Sequence, residues 1–360
     1  MFSNALKALI ANKLKTFLIF LSFTFSITAI FLISSIATGI ITMYSSMLKS
    51  DGDMIVTQKN ISDTFFSNVD TKLIPRIEAI NGVTKVSAII FGASPVEDLP
   101  IIAIYGSSQN RFSNYKLLSG TYPKKNQIIV GNSIYKQLYN KKNITIGTHN
   151  FTISGVYESE IGFENGGVVL NLEDASKIFN KSASLFLVNS TLNSNKDSIL
   201  KAINNLSNTI EAKKTTYFIE NYNQFTIIKT SSNVISFIAF SMGLLAIASI
   251  MSITVNDRKD EFGIKRALGI SSFKITSSLI IESFIVGVVS FITAFILSNI
   301  ILLAIKHSTT LQGYVNGEIT LELSLYIFIT SIIMSALGVI IPSLSASKID
   351  PIILIQKGNR

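Results

Sequence analysis

Few side chains in this 360-residue chain are of the types and spacing that covalent or metal chemistry needs. The absence of cysteine removes thiolate nucleophiles, disulfides and thiolate metal sites together. His149 and His307 are isolated, and neither H-E-x-x-H nor G-x-S-x-G occurs. Without G-x-x-x-x-G-K-[ST] the chain cannot bind ATP by a P-loop; if ATP drives it, a separate subunit must supply the nucleotide and its Mg2+. Glu158, Glu160 and Glu164, followed by Gly166 and Gly167, could gather around a hard cation. A solvated loop between two strands explains the same residues more simply. Glu282 differs, being an acid inside a long apolar run, where an ionisable group must face a bundle interior or water. Pairing or hydrogen bonding within a bundle is favoured for it over direct substrate contact.

The elements that must position Glu282 are those of a membrane protein. Hydrophobic residues make up 48% of the chain and charged residues only 15%, too apolar for an ordinary soluble domain. Phe17 to Met43 contains no charge and is long enough to cross a hydrocarbon core of about 30 Å. Ile227–Val255, Phe273–Ala304 and Leu323–Leu344 are comparably long apolar runs, whose only charged residues are Lys229, Lys274 and Glu282. The formal charge of +9 is no nucleic-acid signal, because it lies beside these spans: residues 1–15, 256–274 and 345–360 hold 11 Lys/Arg against four acids. That bias places the three segments on the cytoplasmic side and the large segment between the first two spans outside.

Between the second and third spans lies N-D-R-K-D-E-F-G-I-K-R-A-L-G-I-S-S-F-K, residues 256–274. As a helix it has Asp257 as a cap, Asp260 and Glu261 in its first turn and Lys265 and Arg266 in its last. Gly269 falls where a left-handed terminator is wanted, and Ser271 or Ser272 caps the next helix. Glu261 and Lys265 form an i,i+4 pair, and Phe262, Ala267 and Leu268 are available to dock on something. In the third span Ser283, Gly287, Ser290, Ala294 and Ser298 share one smooth face, suited either to an intrachain contact or to a dimer seam.

The island resembles the cytoplasmic loop of the FtsX/MacB/LolC-type permeases, membrane subunits of type VII ABC transporters, whose pattern is roughly E-R-x-x-E-[IF]-G-I-x-[KR]-A-[LI]-G. Arg258, Glu261, Phe262, Gly263, Ile264, Arg266, Ala267, Leu268 and Gly269 fall on it. The closing P-x-x-x-A-[AS]-[KR]-x-D-P motif is met by Pro342, Ala346, Ser347, Lys348, Asp350 and Pro351. The resemblance implies an α+β membrane protein: an interfacial helix at 1–15, four transmembrane helices, and a large α+β extracytoplasmic domain between helices 1 and 2. Its divisions are TM1 at 16–44, the MacB-like domain at 45–222, stalk and TM2 at 223–255, coupling helix at 256–272, TM3 at 273–305, outer loop at 306–322, TM4 at 323–344 and a cytoplasmic tail at 345–360.

By the same resemblance the chain is a multi-pass protein of the bacterial inner membrane with both termini cytoplasmic, not itself an enzyme. Its expected partners are an ABC ATPase, a second permease copy or paralogue, membrane lipid and, for some cargoes, a periplasmic adaptor; nucleic acid is not among them. Two functions stay open. One is mechanotransmission, in which ATP hydrolysis by the partner moves the outer domain to export or extract a drug-like, haem, peptide or lipoprotein cargo. The alternative is signalling, in which the outer domain activates a cell-wall hydrolase.

Overall fold

The computed structural model describes residues 2–138, 141–159, 162–307 and 317–347, which divide into two compact units. A short helix α1 (Phe2–Ala11) precedes α2 (Lys13–Asp51). After the α/β segment come α9 (Asn223–Asp257), α10 (Lys259–Ala267), α11 (Ser272–His307) and α12 (Leu321–Ser347). Four of these helices are long and apolar enough to cross a membrane. The fourth continues past Pro342, so the proline lies inside it rather than ending it.

The helical unit is formed by residues up to Ala37, Thr230–Leu303 and the segment from Gly317 onward. Its core combines Phe23, Ile27 and Phe31 of α2, Ile247 and Met251 of α9, Leu279 and Val286 of α11, and Met334 of α12. Close packing is set by missing side chains: a Cβ on Gly243 would lie 2.7 Å from Ser26 Oγ and 2.9 Å from Met334 Sδ. Such contacts leave no room for even a methyl group. Large apolar residues such as Phe25, Phe237, Leu245 and Ile296 remain exposed on the same helices, as a lipid-facing surface requires.

The α/β unit, chiefly Thr38–Lys229, carries one ten-stranded sheet. Its elements are β1 (Met54–Gln58), α3 (Ile74–Glu78), β2 (Val83–Val96), β3 (Leu99–Ser107), β4 (Lys116–Gly120), β5 (Gln127–Gly131), α4 (Asn132–Gln137), β6 (Asn143–Ile146), β7 (His149–Glu158), α5 (Gly162–Asn165), β8 (Gly167–Asn171), α6 (Leu172–Phe179), β9 (Leu185–Ser190), α7 (Lys196–Asn204), β10 (Ile210–Lys214) and α8 (Thr215–Asn221). Strand order is β10-β1-β9-β2-β3-β8-β5-β7-β4, with β6 pairing β2 and β7. The pairs β3–β8 and β5–β7 are parallel and the rest antiparallel, which makes the domain mixed α/β.

Alternating or buried apolar runs form the strands because their inward residues meet one of three apolar cores. The sequence leads one to expect a helix near Leu73 as the domain's first element. The strand β1 precedes it, buried between β9 and β10, and too short for its M-I-V-T-Q run to stand out.

Candidate functional site

The backbone breaks at Arg258, where φ −101° and ψ 14° leave the helical region between α9 and α10. Asp257 does not cap α10; it pairs instead with Lys15 at the start of α2. The far end is closed by Gly269 at φ +84°, with its N–H donating to Arg266 O and the Ile270 N–H donating to Lys265 O, a Schellman arrangement. A nine-residue helix is thereby fixed at both ends.

Arg258 organises what lies beneath. Its Nε donates to Glu261 Oε2 at 2.9 Å, and Nη1 donates to Glu282 Oε2, also at 2.9 Å. Its guanidinium carbon sits 4.9 Å from the centre of the Phe262 ring. Lys265 donates to Glu261 Oε1 at 2.5 Å, so two cations and two carboxylates balance. The Arg258 and Glu282 side chains are only 10% and 5% exposed, where a charge-assisted bond is much stronger than in water. The bond from Arg258, joined by that from Lys265, holds the Glu261 carboxyl down to about 2.

This arrangement ties α10 to α11. Phe262 enters the helical core, so the surface on which it docks is its own bundle. Gly263 is buried beside it, Arg266 is partly buried, and Ala267 is exposed. What remains outward is Ile264, 62% exposed, and Leu268, 77% exposed.

The five small residues of α11 are buried within the chain. Ser283 shares a hydrogen bond of 2.9 Å with Ser335 of α12, Ser290 donates to the Phe20 carbonyl of α2, and a Cβ on Gly287 would meet Ser335 at 3.2 Å. The face is therefore occupied by helices of the same chain.

The acidic loop meets a different fate. Glu164 Oε1 accepts from Arg111 Nη2 at 2.9 Å and Oε2 accepts from Ser159 Oγ at 2.7 Å. Arg111 also donates through Nε to Asp51 at 2.6 Å, and both acids and the arginine are buried. Glu158 is exposed on β7, and Glu160 lies outside the described residues. Among the described residues no three His, Asp or Glu side chains converge as metal ligands. His149 is exposed, with its ring nitrogen 3.3 Å from the Thr148 hydroxyl, while His307 ends α11. The tail residues Lys348, Asp350 and Pro351 lie outside the described residues, as do the side chains of Ala346 and Ser347.

Sequence reasoning placed Glu282 in a bundle without finding its partner. Arg258 lies 24 positions away across a helix break, and Arg111 and Asp51 are 60 apart. The only available signals were the lone acid in a span and the arginine heading the island.

The chain has four long apolar helices with an α/β segment between the first and second, and sequence comparison assigns it to a family of permeases. The MacB-like periplasmic core domain matches residues 16–206 and the FtsX-like permease C-terminal domain matches residues 233–351. The chain belongs to this MacB/FtsX family of ABC transporter permeases and is a membrane protein of the inner membrane. It is 25% identical over 241 residues to a putative hemin transport system permease protein, HrtB, of Staphylococcus haemolyticus, covering 66% of each chain. It is 24% identical over 227 residues to an uncharacterised ABC transporter permease of Methanocaldococcus jannaschii, covering 58% of this chain and 55% of that one. The match thus spans between about half and two thirds of these relatives' lengths. The periplasmic region of MacB from Actinobacillus actinomycetemcomitans aligns with 47% of this chain and 92% of its own, at 12% identity and a TM-score of 0.39.

Proposed function

We propose that the chain is the permease subunit of an ATP-driven mechanotransmission transporter. A separate ATPase docks on α10, and the permease works as a dimer with a second copy or a paralogue. Arg258 supports this reading most directly, because one guanidinium joins Glu261 of the short helix to Glu282 of a spanning helix. A push on Ile264 and Leu268 is passed to α11 through that clamp and the Phe262 anchor, not lost in a loose loop. The α/β unit then shifts to export or extract a lipophilic cargo, a class in which the name of the staphylococcal relative places hemin.

The test is ATP hydrolysis by the permease with its cognate ATPase in lipid nanodiscs, comparing wild type with Glu261→Ala and Gly263→Pro. Loss of cargo-stimulated turnover, or dissociation of the complex, is expected for both. Assembly and turnover like wild type in both variants would remove the coupling role. Stimulation by a cell-wall hydrolase instead of by cargo would favour the signalling function.

A further inference from the structure

We propose that the α/β unit binds lipophilic cations in an aromatic cavity of about 470 Å³. The inference rests on the transport reading only in calling such a ligand cargo; binding itself stands on the geometry below. The cavity lies wholly within this unit and falls in the size range of small-molecule sites, roughly 300–1,000 Å³. Its aromatic walls are Tyr44, Phe65, Phe91, Tyr105, Tyr222 and Phe225.

These rings are held by one another. Tyr44 and Tyr222 stack with centroids 5.9 Å apart and planes 18° from parallel. Phe225 stands edge-on to both, at 5.7 Å and 5.0 Å, and Phe91 stands edge-on to Tyr105. Ala93 and Ala103 keep the strand surface low beneath them.

One carboxylate joins this lining, that of Asp63. Its Oδ1 accepts from the Phe65 N–H at 2.9 Å, from the Tyr222 hydroxyl at 2.7 Å and from Thr64 Oγ1 at 3.4 Å. Among the described residues Oδ2 receives no hydrogen bond and no ion pair. Among the described residues no lysine or arginine lines the cavity. Lys181 donates to the carbonyls of Phe65 and Phe91 at 3.0 Å and 2.7 Å and lies 5.2 Å from the Phe65 ring centre; it feels the Asp63 charge but, among the described residues, makes no direct ion pair with it.

Aromatic faces carry negative quadrupole density and attract cations, more strongly where water is excluded. A free carboxylate oxygen in the same lining adds a point charge of matching sign. Apolar walls supplied by Met43, Ile101 and Ile228 require the rest of the ligand to be lipophilic. The occupant that satisfies all three is a hydrophobic body bearing a delocalised or quaternary positive charge.

The experiment uses the full chain in zwitterionic nanodiscs without ATPase and measures binding of tetraphenylphosphonium and tetraphenylborate, which share shape and differ in sign. Saturable binding of the cation alone is expected. It should weaken at least tenfold in Asp63→Asn, which keeps an oxygen for the Phe65 and Tyr222 bonds, and in Ala93→Phe, which fills the cavity from an exposed strand position. Equal binding of both ions, non-saturable partition of the cation, or undiminished binding in two folded variants would overturn the proposal. Because no ATPase is present, any of these results leaves the coupling reading untouched.

Discussion

Arg258 Nη1 lies 2.9 Å from Glu282 Oε2, joining two residues on opposite sides of a helix break. Glu282 accepts through that oxygen, while its buried Oε1 has no hydrogen-bond partner among the described residues. The arginine is thus what makes an acid tolerable at this position.

Removing one partner should cost far more than removing both. Arg258→Met strands Glu282 in the bundle and should destabilise the protein by about 3–5 kcal/mol, whereas Arg258→Met with Glu282→Met should recover most of that loss. Thermal unfolding of the three purified proteins in detergent checks the order. Equal destabilisation of single and double variants would contradict it.

The same cluster predicts an acid response of defined sign. Glu261 titrates near 2 in the folded chain against an ordinary value of 4.5. Its contribution is therefore present above 4.5 and fades as pH falls towards 2. The carboxylate is 44% exposed, so solvent and salt limit the effect to about 1 kcal/mol. In melting curves across this range Glu261→Gln should flatten that limb and leave stability at neutral pH slightly lower.

Two glycines should fail for different reasons. Gly243→Ala drives a methyl group into Ser26 and Met334 and should cost about 1–3 kcal/mol. Gly269→Ala meets no atom within 4 Å, so only its φ of +84° opposes the change, at about 1 kcal/mol. Asn at position 269, which tolerates the left-handed region, should lie nearer wild type than Ala, whereas Asn at 243 should be worse than Ala. Melting temperatures of the four variants separate the two mechanisms.

Lys181 provides a titration outside the spans. Burial lowers its ammonium to about 8, against the opposing pull of Asp63. Carbon-13 methylation of the lysines followed by NMR should show one resonance with a midpoint near 8 that disappears in Lys181→Arg.

The spans were legible because uninterrupted apolar runs need no partner to be recognised, and the charged island because its caps and terminators are local. Gly269 is an example: its role follows from the residues just before it. Short apolar or alternating runs at Val83–Phe91, Ile101–Tyr105, Gln127–Val130, Asn150–Tyr157, Gly167–Asn171 and Leu185–Asn189 mark β2, β3, β5, β7, β8 and β9 in the sequence, whereas β1, β4, β6 and β10 leave no such mark. In β10, I-E-A-K-K carries three charges in five residues and is a strand only because β1 lies beside it. The surface that Phe262 meets was not legible for a related reason: an apolar residue on a short amphipathic helix points either to a partner or home, and periodicity is the same in both cases. The ion pairs made by Arg258 and Arg111 depend on chain reversals that no window of sequence contains.

The position of β1 governs when the α/β unit can be completed. It is held on one side by β9 and on the other by β10, so its backbone partners lie about 130 and 160 residues further along. Until Lys214 has been synthesised, a strand emerging early has both hydrogen-bonding edges bare, a state open to pairing with other chains. A nascent chain halted after β8 should consequently need a chaperone at the membrane surface, whereas one released beyond β10 should not.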